Sequence, residues 1–237
     1  MKEYKGRIEL IEKIADETYE IKFSSDLKDV KAGQFVSILC DNKTLRRPFS
    51  VADFEDNIIK VLFKKRGKGT KYISNLKTGD EIDFLAPLGK PFPIFQKKAL
   101  LVGAGIGIAP MLFLKKELDK RNIDNFLISG FKKEEEVISG SDETIIGGSV
   151  LDKIEETIEK EKIEIIYSCA PKIVLQKLSV IAKERNLESY LAMEKIMACS
   201  IGVCRGCVIN LMRDNKIINA TICKDGPVFK GSEIVWE

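Results

Sequence analysis

The opening third of the chain alternates between apolar and polar positions. Arg7-Ile8-Glu9-Leu10-Ile11 and Tyr19-Glu20-Ile21-Lys22-Phe23 do so at period two, the pattern of half-buried antiparallel strands. Residues 34–40 follow Gly33, residues 58–63 follow the turn-prone pair Asp56-Asn57, and Gly79-Asp80 marks a turn before residues 81–85. Short strands at this spacing over residues 4–96 predict a small barrel or sandwich. Cys40 falls on one of these strands as a small apolar residue. After the rigid stretch Leu85-Ala86-Pro87-Leu88-Gly89-Lys90-Pro91-Phe92-Pro93, read as a linker, the pattern changes. Lys98-Ala99-Leu100-Leu101-Val102-Gly103 is a continuous apolar run of buried parallel-strand type. It passes through Ala104-Gly105-Ile106-Gly107-Ile108-Ala109-Pro110 into a helix over residues 111–120.

Further strands are read at residues 126–130, 144–148, 163–168 and 189–192. Helices alternate with them at residues 150–161 and 173–185. The first carries a solvated Lys/Glu face; the second has Val174, Leu175, Leu178, Ile181 and Ala182 as a core-facing stripe. Strand–helix alternation predicts a parallel sheet, whose ligands lie at the carboxyl ends of its strands. Residues 103–110 and 169–171 therefore share one rim. Residues 208–211 and 217–220 flank Arg213-Asp214-Asn215-Lys216 as a hairpin, and Asp225-Gly226-Pro227-Val228-Phe229 reads as a turn followed by a short apolar lid.

A length of 237 residues suggests two domains or slightly more. No run of about 18 apolar residues occurs, so no membrane span is expected. The start, Met1-Lys2-Glu3-Tyr4-Lys5, lacks the apolar core of a signal peptide, and a reducing cytoplasm is the expected compartment. The net charge is only +3, from 39 basic and 36 acidic residues without a basic block, so no nucleic acid partner is expected. There is no histidine. That absence removes Rieske clusters, histidine-ligated zinc or haem, and nucleophiles activated by histidine. Catalysis must rest on cofactors, cysteines, carboxylates or lysines, and no side chain is singled out as catalytic.

Three stretches carry candidate chemistry. Cys199-Ser200-Ile201-Gly202-Val203-Cys204-Arg205-Gly206-Cys207, closed by Cys223, has the C-x4-C-x2-C…C spacing by which four thiolates hold a [2Fe–2S] cluster. Gly202 and Gly206 suit the loop, since glycine reaches positive φ cheaply and lets the backbone approach the cluster. A four-cysteine zinc site and disulfides are the alternatives, though only one C-x2-C arm is present. Two polar sites interrupt the β pattern, and each in isolation could be a plain loop or turn: at the first, Arg47-Pro48-Phe49-Ser50, a forked phosphate donor stands beside an aromatic ring. Gly67-Lys68-Gly69-Thr70 opens a helix through Ile73 and Leu76, where free amides suit a phosphate. The glycine turn at 103–110 is the third. It falls short of G-x-G-x-x-G, and a turn built only for close packing has the same look.

Taken together, these residues resemble the ferredoxin reductase-like flavoprotein superfamily. More narrowly, the chain resembles the electron transfer subunits of NAD-linked (class 1B) dihydroorotate dehydrogenases. The resemblance rests on Arg47-Pro48-Phe49-Ser50 as an Arg-Pro-x-Ser flavin motif and on Gly103, Gly105 and Gly107 in the nucleotide-side glycine motif. It also rests on residues 194–207 with Cys223-Lys224-Asp225-Gly226-Pro227-Val228-Phe229 as the cluster segment. The implied fold is multidomain, β plus α/β: an antiparallel FAD-binding β-barrel (1–96), a parallel-sheet NAD-binding domain (97–192) and a small [2Fe–2S] domain (193–237). Leu62, Phe63 and Lys64, with Gly69 and Thr70, fall where further flavin contacts of the family lie. Cys199, Cys204, Cys207 and Cys223 are implied as the cluster ligands.

The implied function is electron transfer in pyrimidine biosynthesis. Electrons from an FMN-containing dihydroorotate dehydrogenase catalytic subunit would pass through the cluster and FAD to NAD+, a diffusible acceptor, within a heterotetramer. A subunit of another FAD/[2Fe–2S] NAD(P)H oxidoreductase, of ferredoxin:NADP reductase or sulfhydrogenase type, is the alternative. Two departures stand out. Ser200 occupies a position where the family commonly has glycine, which implies some strain in the first turn of the loop. Ala170 replaces glycine in the superfamily's Cys-Gly-Pro motif, beside Cys169.

Overall fold

The structure, a computed structural model, describes residues 2–40 and 45–236; the expected domain limits at residues 1 and 237 lie outside them. Six strands close an antiparallel barrel: β1 (Lys2–Ala15), β2 (Thr18–Ser24), β3 (Phe35–Ile38), β4 (Arg47–Glu55), β5 (Ile58–Lys64) and β6 (Glu81–Leu88), in the order β1-β2-β5-β4-β3-β6. Alternation turns Ile8, Ile21, Phe23, Val36, Val61 and Phe84 into its core. Asp56 and Asn57, both at positive φ, form the two-residue turn between β4 and β5. Helix α1 (Lys68–Ile73) follows β5.

Three expectations need correction here. Arg47-Pro48-Phe49-Ser50 does not interrupt the β pattern; it begins β4. Proline is tolerated there because residues 47–50 pair with β3 alone, the ladder to β5 starting only at Val51↔Val61. The segment read as a linker from Leu85 is still strand through Leu88. Cys40 is fully buried as expected, but lies two residues past the end of β3.

The second unit is a six-stranded sheet in the order β14-β11-β10-β7-β8-β9. It contains β7 (Ala99–Ala104), β8 (Asn125–Phe131), β9 (Glu143–Ile146), β10 (Ile165–Cys169) and β11 (Glu188–Ala192), all parallel. Helices α2 (Ile108–Asp119), α3 (Ile154–Glu161) and α4 (Lys172–Glu184) cover it, and Leu175, Leu178 and Ala182 of α4 are buried as the stripe predicts. β12 (Val208–Arg213) and β13 (Lys216–Thr221) form the expected hairpin, turning at Asp214 and Asn215, both at positive φ. The short helix α5 (Ile222–Asp225) follows.

The expected apolar lid is instead a strand, β14 (Val228–Lys230), which pairs antiparallel with β11 through Leu191↔Phe229. The C-terminal segment thus adds an edge strand to the sheet. Periodicity could not show this, because three residues are too few to alternate.

The parts are closely joined. Ala52 and Leu62 of the barrel pack against Ile108, Ala109 and Phe131 of the α/β unit. Lys116 on α2 donates to both oxygens of Asp53 at 2.8 Å and to Glu55 at 3.0 Å. A further core gathers Phe35 and Leu88 from the barrel, Leu175 and Leu191 from the α/β unit, and Leu211, Ile222 and Phe229 from the C-terminal segment. Beside it, against Phe35, the backbone of the half-buried Gly89 meets Gly226 and Pro227. A Cβ on Gly89 would lie 2.5 Å from Pro227 Cδ and 2.9 Å from the Gly226 carbonyl, at φ +73.

Gly89→Ala therefore carries both a clash and a left-handed strain, and its unfolding free energy should fall by about 3 kcal/mol. Gly67→Ala is the control, because nothing lies within 4 Å of a Cβ there. Urea unfolding of the two variants checks this; equal midpoints would show that the seam has slack.

Candidate redox site at the junction of three units

The cluster loop is built from alternating backbone signs. Ser200 (φ 60), Gly202 (φ 86) and Arg205 (φ 55) are all left-handed, which curls successive N–H groups inward into a nest suited to anionic sulfur. The Cys204 N–H donates to Cys199 Sγ at 3.4 Å and the Gly206 N–H to Cys204 Sγ at 3.4 Å. Gly202 supplies the positive φ expected of it. Gly206 does not: that role falls to its neighbour Arg205, and Gly206 contributes its amide.

The second half of the site is fixed by the hairpin. The Ile222 N–H donates to Cys207 O at 3.0 Å, setting Cys223 beside Cys207 with sulfurs 3.3 Å apart. Asp225 locks that turn, accepting from the Thr221 N–H at 2.7 Å and its hydroxyl at 2.8 Å. The Thr221 amide holds the Asp225 carboxyl below its ordinary range.

All six cysteines are free, and 3.3 Å is far longer than a disulfide bond of about 2.05 Å. The cluster-spaced cysteines fall into two pairs, Cys199 with Cys204 through the Cys204 N–H and Cys207 with Cys223 through their sulfurs, an arrangement that suits two irons.

The thiols are electrostatically unequal. Burial pushes Cys199 up, but the amides of Cys204, Ile201 and Val203, with the Cys204 thiol, outweigh it and bring it down to about 6. Burial, then the Cys207 thiol, pushes Cys223 up to about 12.

Beside this loop runs a groove of about 670 Å³. Arg47, Pro48, Phe49 and Thr70 form one wall; Ala170, Pro171, Lys172 and the segment 193–197 form the other. The β4–β5 ladder stops at Val51↔Val61, so residues 47–50 and 62–64 face each other without ladder bonds. A ligand can therefore meet backbone groups of both strands. Side chains are a different matter. Phe63 is in the barrel core against Tyr19 and Phe49, Leu62 is in the interface with α2, and Lys64 pairs with Glu136. Only their main chain is left for a flavin. Gly69 makes room for Arg47, whose Cγ would be 2.9 Å from a Cβ there. The Thr70 hydroxyl accepts the amides of Arg66 and Gly67 at 2.9 and 3.1 Å, capping α1 itself.

On the sheet, Gly103 and Cys169 are register partners, and a Cβ on Gly107 would strike the Cys169 carbonyl. The two rim segments are thus brought together as expected. Gly103 and Gly107 serve close packing, since a Cβ on Gly103 would sit 2.7 Å from Ile108 Cα. Gly105 alone of the three opens to space, at φ +54. Burial, with Glu194 beside it, raises the Cys169 thiol to about 12, which leaves it protonated. Sequence reading missed Lys172 and residues 193–197 as groove wall. The signal for Lys172 was its place straight after Cys169-Ala170-Pro171, at the start of α4; for 193–197 there was none.

Comparison with known proteins completes the picture. Residues 194–235 match the family model for the iron–sulfur cluster binding domain of dihydroorotate dehydrogenase B. The electron transfer subunit of dihydroorotate dehydrogenase B (NAD(+)) from Caldanaerobacter subterraneus subsp. tengcongensis is 36% identical over 98% of both chains. That from Listeria innocua is 35% identical over 93% of this chain and 94% of its own. The chain belongs to this family. Membership makes it the electron transfer component of an oxidoreductase, with an iron–sulfur cluster, FAD and NAD as cofactors and a separate catalytic subunit. Among solved structures, one of an NADH-dependent reduced ferredoxin-NADP oxidoreductase superposes with a TM-score of 0.84, at 28% identity over 98% of this chain and 90% of the other. Phthalate dioxygenase reductase shares the fold at a TM-score of 0.67 and 18% identity, covering 92% of this chain and 76% of its own. No helix among the described residues is long and apolar enough to cross a membrane.

In the reduced, metal-free chain, brief alkylation at pH 7 should label Cys199 well ahead of Cys169 and Cys223. A thiol at about 6 is mostly thiolate there, whereas thiols at about 12 stay protonated. Labelling of Cys199 should fall as pH drops through about 6. Peptide mass mapping gives the order, and uniform labelling would contradict the inward-turned amides.

Proposed function

We propose that the chain receives electrons from an FMN-containing dihydroorotate-oxidising subunit and passes them to NAD+, in a cytoplasmic heterotetramer. The observation that carries this is the adjacency of the paired-thiol loop to the groove walled by Arg47-Pro48-Phe49. Cys199, Cys204, Cys207 and Cys223 would hold the cluster. Arg47 and the open main chain of residues 47–50 and 62–64 would hold the flavin, with Gly69 admitting Arg47 and Thr70 shaping the wall. The turn at Gly103, Gly105 and Gly107 would receive NAD, with Gly105 as its open point. When bound, the cluster exchanges single electrons, the flavin one or two, and nicotinamide a hydride, so a flavin between the other two groups makes the conversion.

The chain's own part is placement. It turns amides toward the sulfurs, buries Cys207 and Cys223 at 2% and 3% exposure, and leaves Cys204 at the surface. Val203, next to Cys204 in the chain, is 76% exposed, and Ile196, three residues before Cys199, is 91% exposed, with the exposed Arg205 on the other side of Cys204. Exposed apolar side chains beside a redox centre suit a protein partner, and this is the face on which the catalytic subunit would dock. The three units would be a flavin barrel (1–96), a nucleotide-binding unit (97–192) and a cluster unit (193–237). The likeness to the ferredoxin-NADP oxidoreductase structure supports a second reading, in which the same cofactors serve another partner.

The isolated chain should carry about two irons and one FAD and reduce dyes with NADH, yet leave dihydroorotate untouched until the partner is added. Cys223→Ser should lose iron while keeping FAD and dye reduction. Absorbance, iron and flavin analysis decide this; dihydroorotate oxidation by the chain alone would sink the proposal. Co-purification with a different redox partner would favour the second reading.

A further inference from the structure

Ser200 follows the first cluster thiol and adopts φ +60, where glycine would be unstrained and a residue with Cβ is not. It is also buried, at 1% exposure, while Val203 and Cys204 of the same loop are exposed. Its hydroxyl has one polar partner of note, Ser37, whose own hydroxyl donates to Ser200 Oγ at 3.0 Å. Ser37 is fully buried on β3, where it faces Pro48 in the β3–β4 ladder and Leu85 in the β3–β6 ladder. No buried side-chain polar atom among the described residues lacks a partner, so removing either hydroxyl strands the other in a dry seam.

We propose that the Ser37–Ser200 pair is a latch. It fastens the Cys199 side of the cluster loop to the barrel strand that pairs with the flavin motif, and both serines are positioning residues. The other side of the cluster site has its own ties, through Ile222 to Cys207 and through Thr221 to Asp225. On the Cys199 side, Met197 and Ile201 pack into the core that holds Phe35 and Leu88 of the barrel, and Ser200 adds a hydrogen bond to the barrel. The latch rests on the proposed role of Cys199 as a cluster ligand. It also accounts for a serine at a left-handed position: the strain is tolerated because the hydroxyl is used.

The test compares the wild-type chain with Ser37→Ala, Ser200→Gly and the double variant, each reconstituted with FAD, iron and sulfide. The readouts are iron release to an excess of ferrous chelator, the electron paramagnetic resonance spectrum of the reduced cluster, FAD content and the melting temperature. Each single variant should release iron about fivefold faster, the factor of a modest contact, with a broadened cluster spectrum and unchanged FAD content. The double variant should be no worse than the worse single one, because both substitutions break the same contact.

Ser200→Gly separates a latch from plain packing. It relieves backbone strain, so a melting temperature near that of the wild type together with faster iron loss supports the latch, even if Ser37→Ala fails to fold. Additive effects in the double variant, or iron release at the wild-type rate in Ser200→Gly, overturn it. A wild-type chain that retains no iron overturns the cluster reading and the latch together; one that retains iron, with variants to match, overturns the latch alone.

Discussion

The close approach of two backbone segments, at Gly89 and at Gly226-Pro227, is the constraint on which the rest of this molecule depends. The barrel ends there, the C-terminal segment passes through it, and β14 leaves it to join the sheet. Without a Cβ on Gly89 the chains come within contact distance of one another, and the Lys90 N–H donates to Gly226 O while the Met193 N–H donates to Pro227 O. The shared core of Phe35, Leu88, Leu191, Leu211 and Phe229 lies beside this point, with Phe35 against Gly89. Burial of apolar area from three units at once makes their mutual placement a matter of packing rather than of linker length.

That placement puts the cysteine loop beside the groove proposed for the flavin. The cysteine loop has little core of its own: Val203, Cys204, Arg205 and Gly206 are exposed, and Cys207 and Cys223 are buried against the neighbouring units. A site assembled in this way is positioned by rigid elements on both sides, the condition for holding reacting groups at fixed separation.

Much of the architecture was legible in the chain. Period-two alternation marked β1 and β2, the turn-prone Asp56-Asn57 marked the start of β5, the continuous apolar run marked β7, and the stripe on α4 was core as read. The cysteine spacing pointed to the cluster before any fold was known. Less legible was the division of labour within each motif. Leu62 and Phe63 fall where the resemblance puts flavin contacts, yet their side chains are core, because a strand at a junction between units has its faces committed to packing. Gly103 and Gly107 look like phosphate glycines, yet they exist so that α2 can approach the ends of β7 and β10.

Residue type and spacing determined, without any fold, what kinds of chemistry this protein can hold: four thiolates at cluster spacing, an arginine before an aromatic, glycines after a buried strand, and no histidine. Those are local properties, carried by neighbours in the chain. Only the tertiary structure decided which of them meet. Ser37 and Ser200 are 163 residues apart, and nothing in the period of either segment foretells their contact. Nor does periodicity foretell that Val228–Lys230 would complete a sheet begun at Ala99. The physical reason is that such contacts arise from the joint packing of surfaces, which no single stretch of sequence contains.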